Sequence, residues 1–161
     1  EAYASKKHVV YPELYQLAFE PWNELSLFGL TFARKTLGIT KESDGNTLVS
    51  CFNQEFTPII DKINEGYDYF YKNELYLSKG IATAYTETLS SLSQLASEIE
   101  EAFYTYKINV DWRYSPFYMH LNVEEAIEKA QEKIDVLKEN AYKELSYTHF
   151  EEPKQKEEAL S

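Results

Sequence analysis

The spacing of apolar residues in the last quarter of the chain sets the strongest constraint on its fold. Between residues 123 and 145, apolar side chains recur at alternating steps of four and three, and Glu, Lys, Gln and Asp fill the positions between them. Side chains at these steps lie on one face of an α-helix. The pattern therefore predicts an amphipathic helix over about 123–148, capped by Asn122. Its apolar stripe consists of Val123, Ile127, Ala130, Ile134, Leu137, Ala141 and Leu145.

Three earlier segments repeat this spacing. Along the chain, the first predicted helix covers the stripe from Leu14 to Phe32, and the second covers the stripe from Leu48 to Phe70. The third is predicted from about 81 to 107. Pro58 is expected to kink the second helix, and Pro21 to split the first after Glu20. Gly80 is expected to end the second helix in a left-handed turn.

Four amphipathic helices bury their stripes most simply against one another. The sequence thus predicts an all-α fold, an antiparallel four-helix bundle with a kinked first or second helix and a long aromatic loop between helices three and four. The chain of 161 residues has the length of one domain. We assign residues 1–150 to a single helical domain and residues 151–161 to a charged C-terminal tail.

The charge of the chain excludes some partners. It carries 27 acidic and 16 basic side chains, so its net charge of −11 repels nucleic acid. No stretch approaches the roughly 18 consecutive apolar residues of a membrane span. The chain opens Glu-Ala-Tyr-Ala without an initiator methionine, which fits either a mature end left after removal of a signal peptide or residues added for expression. Both interpretations favour a secreted, extracellular protein.

Catalytic and metal-binding patterns are missing from the sequence. The three histidines are far apart and none follows a glutamate by three positions, as inward-facing metal ligands in helical bundles do. The one thiol, Cys51, has apolar neighbours. Asp61, Glu65 and Asp68 share a helical face, which fits a solvated surface or carboxylate chemistry. We therefore predict no enzyme activity, cofactor or metal site, although an enzyme that uses buried carboxylates stays open.

Aromatic content is the unusual property that remains, with 14 tyrosines and 9 phenylalanines. One concentration, Asp-Trp-Arg-Tyr-Ser-Pro-Phe-Tyr-Met-His at 111–120, lies between the last two predicted helices. This loop could cap one end of the bundle, or it could recognise a partner, because Trp, Tyr and Arg dominate protein–protein hot spots. The candidate partner-binding residues are Trp112, Arg113, Tyr114, Phe117 and Tyr118.

The other aromatic residues fall on the predicted helices. They could form an aromatic-rich core, or they could surround a pocket for an apolar ligand. The candidate walls of that pocket are Phe52, Phe56, Tyr67, Phe70, Tyr71, Tyr85 and Phe103.

The sequence favours a secreted, non-enzymatic α-helical protein, monomeric or dimeric, that engages another protein through the aromatic loop. Its acidic surface favours a partner with a basic patch. The alternative is a carrier of a fatty acid or another small apolar ligand held between the helices.

Overall fold

A computed structural model describes residues 2–35, 45–106 and 121–160. It contains the helices α1 (Ala2–Ser26), α2 (Phe28–Lys35), α3 (Gly45–Asn73), α4 (Lys79–Tyr106) and α5 (Leu121–Leu160), with one 3₁₀ turn, Glu74–Tyr76, after α3. The predicted all-α class is confirmed. None of the helices in these ranges combines the length and apolarity needed to cross a bilayer.

The described residues form five α-helices where four were predicted, and the extra boundary is not at the predicted residue. Pro21 is buried inside α1, and the helix ends five residues later, at Ser26. The predicted split after Glu20 is therefore wrong. A proline costs the helix one backbone hydrogen bond, and burial of the face that includes Ala18 and Leu25 offsets that loss. Pro58 likewise lies within α3.

The predicted turn at Gly80 is also wrong. The 3₁₀ turn ends α3, Leu77 is extended with φ −97° and ψ 137°, and Gly80 already belongs to the first turn of α4. None of the described glycines has a positive φ. Ser78 marks the start of α4, because its hydroxyl accepts a hydrogen bond from the Ile81 amide at 3.1 Å and so caps this helix.

The last helix is longer than the sequence pattern indicated. It starts at Leu121, so Asn122 lies inside it and not at its cap, and it continues to Leu160 through the predicted tail. The apolar stripe ends at Leu145, but the residues that follow are mostly good helix formers, which allows the helix to continue.

Hydrogen bonds between distant residues fix the relative directions of the helices. Trp22 Nε1 donates to the Ile127 carbonyl at 3.1 Å, and Tyr11 bonds to Glu144, so α1 and α5 are antiparallel. The helices α4 and α5 are also antiparallel. Lys133 Nζ on α5 lies 3.1 Å from Glu87 Oε2 on α4. Both α1 and α4 pack against each other and against α3 and α5.

The predicted stripes form the core. Every described member of the four stripes is buried except Tyr67, Ile127 and Leu145, which are half-buried. Helices α4 and α5 make the most extensive contact, since small residues such as Ala84, Ala126 and Ala130 let their backbones approach.

Thr88, the one non-aromatic polar side chain in the described core, is fully buried and lies in this α4–α5 contact. Its hydroxyl donates to the Ala84 carbonyl at 2.7 Å, and the Lys133 carbonyl of α5 is 3.3 Å away. The α4 helix therefore satisfies the buried hydroxyl without a side-chain partner.

A large ring fills the space between α3 and α4. Tyr85 is fully buried and stacks on Phe70 with ring centroids 5.6 Å apart. Its hydroxyl lies above Gly66, where a Cβ would come within 2.7 Å of the oxygen. Gly66 is thus required for close approach, while the Tyr85 hydroxyl has no hydrogen-bond partner among the described residues.

A polar cluster joins two helices to the residue that precedes α4. The Tyr11 hydroxyl donates to Glu144 Oε1 at 3.1 Å and accepts from the Ser78 amide at 3.3 Å. The Ser78 hydroxyl donates to Glu144 Oε2 at 2.7 Å, and Lys7 Nζ is 3.7 Å from Oε1. We call Tyr11, Ser78, Glu144 and Lys7 the polar clamp, because they connect α1 and α5 to the α3–α4 connection.

The two buried tyrosines should respond oppositely to loss of their hydroxyls. We expect Tyr11→Phe to lower the free energy of unfolding by about 1–3 kcal/mol, because it leaves the Ser78 amide and Glu144 short of a partner. Tyr85→Phe removes an unpartnered hydroxyl and should leave stability unchanged or raise it by up to about 1 kcal/mol. Urea denaturation of both variants measures this, and equal destabilisation by the two changes would contradict the assignment.

The two tyrosines also make the free energy of unfolding depend on pH in the alkaline range. Burial raises the pKa of Tyr11 and Tyr85 above the usual 10.0, so the unfolded chain loses these protons first. Their contribution to stability is complete below about pH 10 and is lost as pH rises through the native pKa. Tyr85→Phe should therefore unfold at higher pH than the wild-type protein.

Candidate functional site

Five phenylalanines meet where α2, the start of α3 and the end of α4 converge. We call Phe28, Phe32, Phe52, Phe56 and Phe103 the aromatic end of the protein. The Phe52 and Phe103 rings stack in parallel with centroids 4.1 Å apart, and the edge of Phe28 meets Phe52 at 5.3 Å. Stacked and edge-to-face pairs of this kind stabilise beyond the apolar area that they bury.

Local sequence spacing produces this cluster. Phe28 and Phe32 are four residues apart on α2, as are Phe52 and Phe56 on α3, so each pair lies on one helical face. The rings of each pair stack, at 5.6 and 4.8 Å between centroids. Phe103, from α4, then closes the cluster from a third helix.

The aromatic end reaches the surface at Tyr104. This side chain is 38% exposed, and its ring meets Phe103 at 5.1 Å and Phe52 at 6.2 Å. Tyr104 lies two residues before the last residue of α4, where the chain leaves towards the predicted aromatic loop. The rigid core and the connection that follows it are thus adjacent.

The predicted partner-binding residues, Trp112, Arg113, Tyr114, Phe117 and Tyr118, lie outside the described residues. The helices on either side of them are firmly packed. Phe103 is 0% exposed near the end of α4, and Val123 is 1% exposed near the start of α5. Both helices that flank residues 107–120 therefore carry a buried side chain near that end.

The predicted pocket walls do not all lie together. Phe52, Phe56 and Phe103 belong to the aromatic end, whereas Phe70 and Tyr85 stack near the end of α3 and the start of α4. Tyr67 is half-buried and Tyr71 is 65% exposed. An apolar ligand among the buried rings would have to displace contacts that the rings already make with one another.

A groove opens beside the aromatic end, between the α1–α2 junction and α3. We call it the α1–α3 groove. It has a volume of about 310 Å³. Its apolar lining residues are Leu27, Phe28, Phe32, Pro58 and Ile59, and its polar ones are Asn23, Glu24, Thr31, Gln54, Glu55 and Lys62.

Acidic side chains dominate the electrostatics at this groove. Lys62 Nζ donates to Glu24 Oε1 at 2.7 Å, joining α3 to α1. This hydrogen bond raises the pKa of the Lys62 ammonium group, and the charges of Glu24, Glu20 and Glu65 raise it further. Lys62 is thus the basic residue among the described lining residues of the groove, and it lies near the carboxylates of Glu24, Glu20 and Glu65.

The other residues that the sequence offered as candidates for catalysis or metal binding do not come together in the described structure. Asp61, Glu65 and Asp68 are all exposed on α3, and Cys51 is half-buried. Among the described residues, no group of three or more His, Cys, Asp or Glu side chains is placed to hold a metal ion.

Sequence reasoning missed both the polar clamp and the groove. Tyr11 and Glu144 are 133 residues apart, and neither residue type at its position signals a partner. Leu27 and Lys62 lie on different helices, and the groove exists because α1 ends at Ser26. Only the apolar stripes carried a detectable signal, and they mark the core.

Comparison with known proteins finds a similarity to part of one longer protein. The chain is 31% identical over 158 residues to the heat shock protein 70 homolog LHS1 of Saccharomyces cerevisiae. The aligned region covers 92% of this chain and 18% of that protein. No protein-family model matches the sequence, and no solved structure matches it.

Truncation of a ring at the aromatic end should be costly. We expect Phe52→Ala to lower the free energy of unfolding by about 3–5 kcal/mol, because the side chain is 0% exposed and contacts rings from α2, α3 and α4. Phe19→Ala is the matched control, since Phe19 is half-buried and its ring pairs with those of Tyr15 and Trp22 on its own helix. It should cost about 1 kcal/mol. Guanidinium denaturation followed by circular dichroism measures both, and similar losses would contradict a central role for Phe52.

Proposed function

We propose that this chain is a non-enzymatic helical unit that binds another protein through the connection between α4 and α5. The binding residues are Trp112, Arg113, Tyr114, Phe117 and Tyr118. We further propose that its helices form a four-helix bundle in which α1 and α2 together take the place of one interrupted helix. Secretion of the protein stays a prediction.

The observation that carries the proposal is the anchoring of both helices beside this connection. Binding residues are most often found on loops that a rigid scaffold positions. Phe103 near the end of α4 stacks on Phe52, and Val123 near the start of α5 is buried. A segment rich in Trp, Tyr and Arg between two such fixed points is suited to present hot-spot side chains.

The charge of the chain supports the choice of partner. A net charge of −11 attracts a protein with a basic patch and speeds its approach at low salt. The carrier hypothesis has weaker support, because its predicted walls divide between the aromatic end, the Phe70–Tyr85 stack and the exposed Tyr71.

The similarity to the heat shock protein 70 homolog supports a second proposal. Because the match covers most of this chain but 18% of that protein, we propose that the chain acts as a helical part of a longer protein of this kind. Binding of another protein would then be one task within that longer chain.

The loop assignment predicts a large loss of binding. We expect the double variant Trp112→Ala with Arg113→Ala to weaken partner binding about 1,000-fold, since truncating each of two hot-spot side chains costs about 2 kcal/mol. Partner isolated with the natural protein is titrated calorimetrically with wild type and variant. Tyr142→Ala is the control, because Tyr142 is 73% exposed on α5. Unchanged binding by a folded double variant would refute the assignment.

The proposal of a longer protein predicts the size of the natural product. An antibody raised against this chain should detect, in the source organism, a band several times larger than the 18.8 kDa of the chain itself. The measurement is an immunoblot, with the purified chain in a neighbouring lane as a size standard. A natural product that migrates with the standard would contradict this proposal and leave the loop assignment intact.

A further inference from the structure

We propose that the α1–α3 groove is a second contact for the protein partner, and that it receives a basic segment with one or two bulky apolar side chains. This inference rests on the proposed function, because it assumes that the chain binds a protein. It adds a site on other elements, with its own chemistry, to the loop between α4 and α5.

The size and lining of the groove fit an apolar side chain. Its volume of about 310 Å³ is at the lower end for ligand sites, which suits a few side-chain groups better than a large ligand. The nearly buried side chains of Phe28, Phe32 and Ile59 form the floor of the groove, and Pro58 adds a ring on the α3 side. These walls are fixed by the core behind them, so the groove is preformed.

Apolar side chains at the mouth of the groove are exposed to water. Leu27 is 50% exposed and lines the groove, and Leu30, one turn further along α2, is 41% exposed. The helix boundary at Leu27 places Phe28 and Phe32 in the core and leaves these two leucines outside. Covering them with an apolar group would remove further apolar area from water.

Charge complementarity identifies the occupant as basic. Glu24 and Glu55 line the groove together with Lys62, and Glu20 and Glu65 lie close enough to Lys62 to act on its charge. A lysine or arginine beside the apolar anchor would meet this acidic surface at short range. A second copy of the chain, which carries the same charge of −11, would be repelled.

The test uses a defined probe. It is a fluorescein-labelled peptide of about 14 residues with leucines spaced along one helix face and lysines elsewhere. Fluorescence anisotropy should show binding to the wild-type chain that weakens as salt is raised. We expect Leu27→Glu to weaken binding at least 10-fold. A peptide with glutamate in place of lysine should not bind.

A matched control separates the groove from the general acidity of the chain. Val136 on α5 is 47% exposed, against 50% for Leu27, and it does not line the groove. Val136→Glu adds the same charge at a similarly exposed apolar position, and it should leave peptide binding within about twofold of wild type. Circular dichroism checks that both variants keep their helical content.

Three results would overturn the inference. These are no binding of the lysine peptide, an equal effect of Leu27→Glu and Val136→Glu, or a wild-type dimer that Leu27→Glu converts to a monomer. The last result would identify a second copy as the occupant. Failure here is distinct from failure of the proposed function, because the natural partner can still depend on Trp112 and Arg113 when Leu27→Glu has no effect.

Discussion

Burial of one apolar face per helix is the constraint on which the rest of this structure depends. Isolated helices gain little stability in water, so each amphipathic helix must cover its stripe against the others. The stack of Phe52 on Phe103 and that of Phe70 on Tyr85 show how this is done between α3 and α4, through large rings. Between α4 and α5, small residues let the two backbones approach closely, and this buries the apolar faces of both helices.

Polar groups then select one arrangement from those that apolar burial allows. The polar clamp connects α1, α5 and the α3–α4 connection through Tyr11, Ser78 and Glu144, and the Glu24–Lys62 pair connects α1 to α3. Hydrogen bonds need defined partners and distances, whereas apolar contact does not. Tyr85 is the exception, because its ring packs in the core while its hydroxyl lies unpartnered above Gly66.

The aromatic end adjoins the groove and, along the chain, the residues of the proposed loop contact. The groove shares Phe28 and Phe32 with the aromatic end, and Tyr104 leads from its surface to the connection between α4 and α5. A rigid cluster of rings can support both proposed contacts, one on a loop and one in a groove. Two separate contacts with one partner would add to affinity, because the second forms within an existing complex.

The sequence by itself determined the helical class and the buried face of each helix. The spacing of apolar residues along a helix, as in the stripe from Ile81 to Phe103, identifies the face that packs into the core. Tertiary structure alone decided where the first helix ends, since burial keeps Pro21 helical and the break falls at Leu27. It alone decided that Ser78, and not Gly80, separates α3 from α4. The polar clamp and the groove also required it, because their residues come from distant parts of the chain and leave no periodic trace.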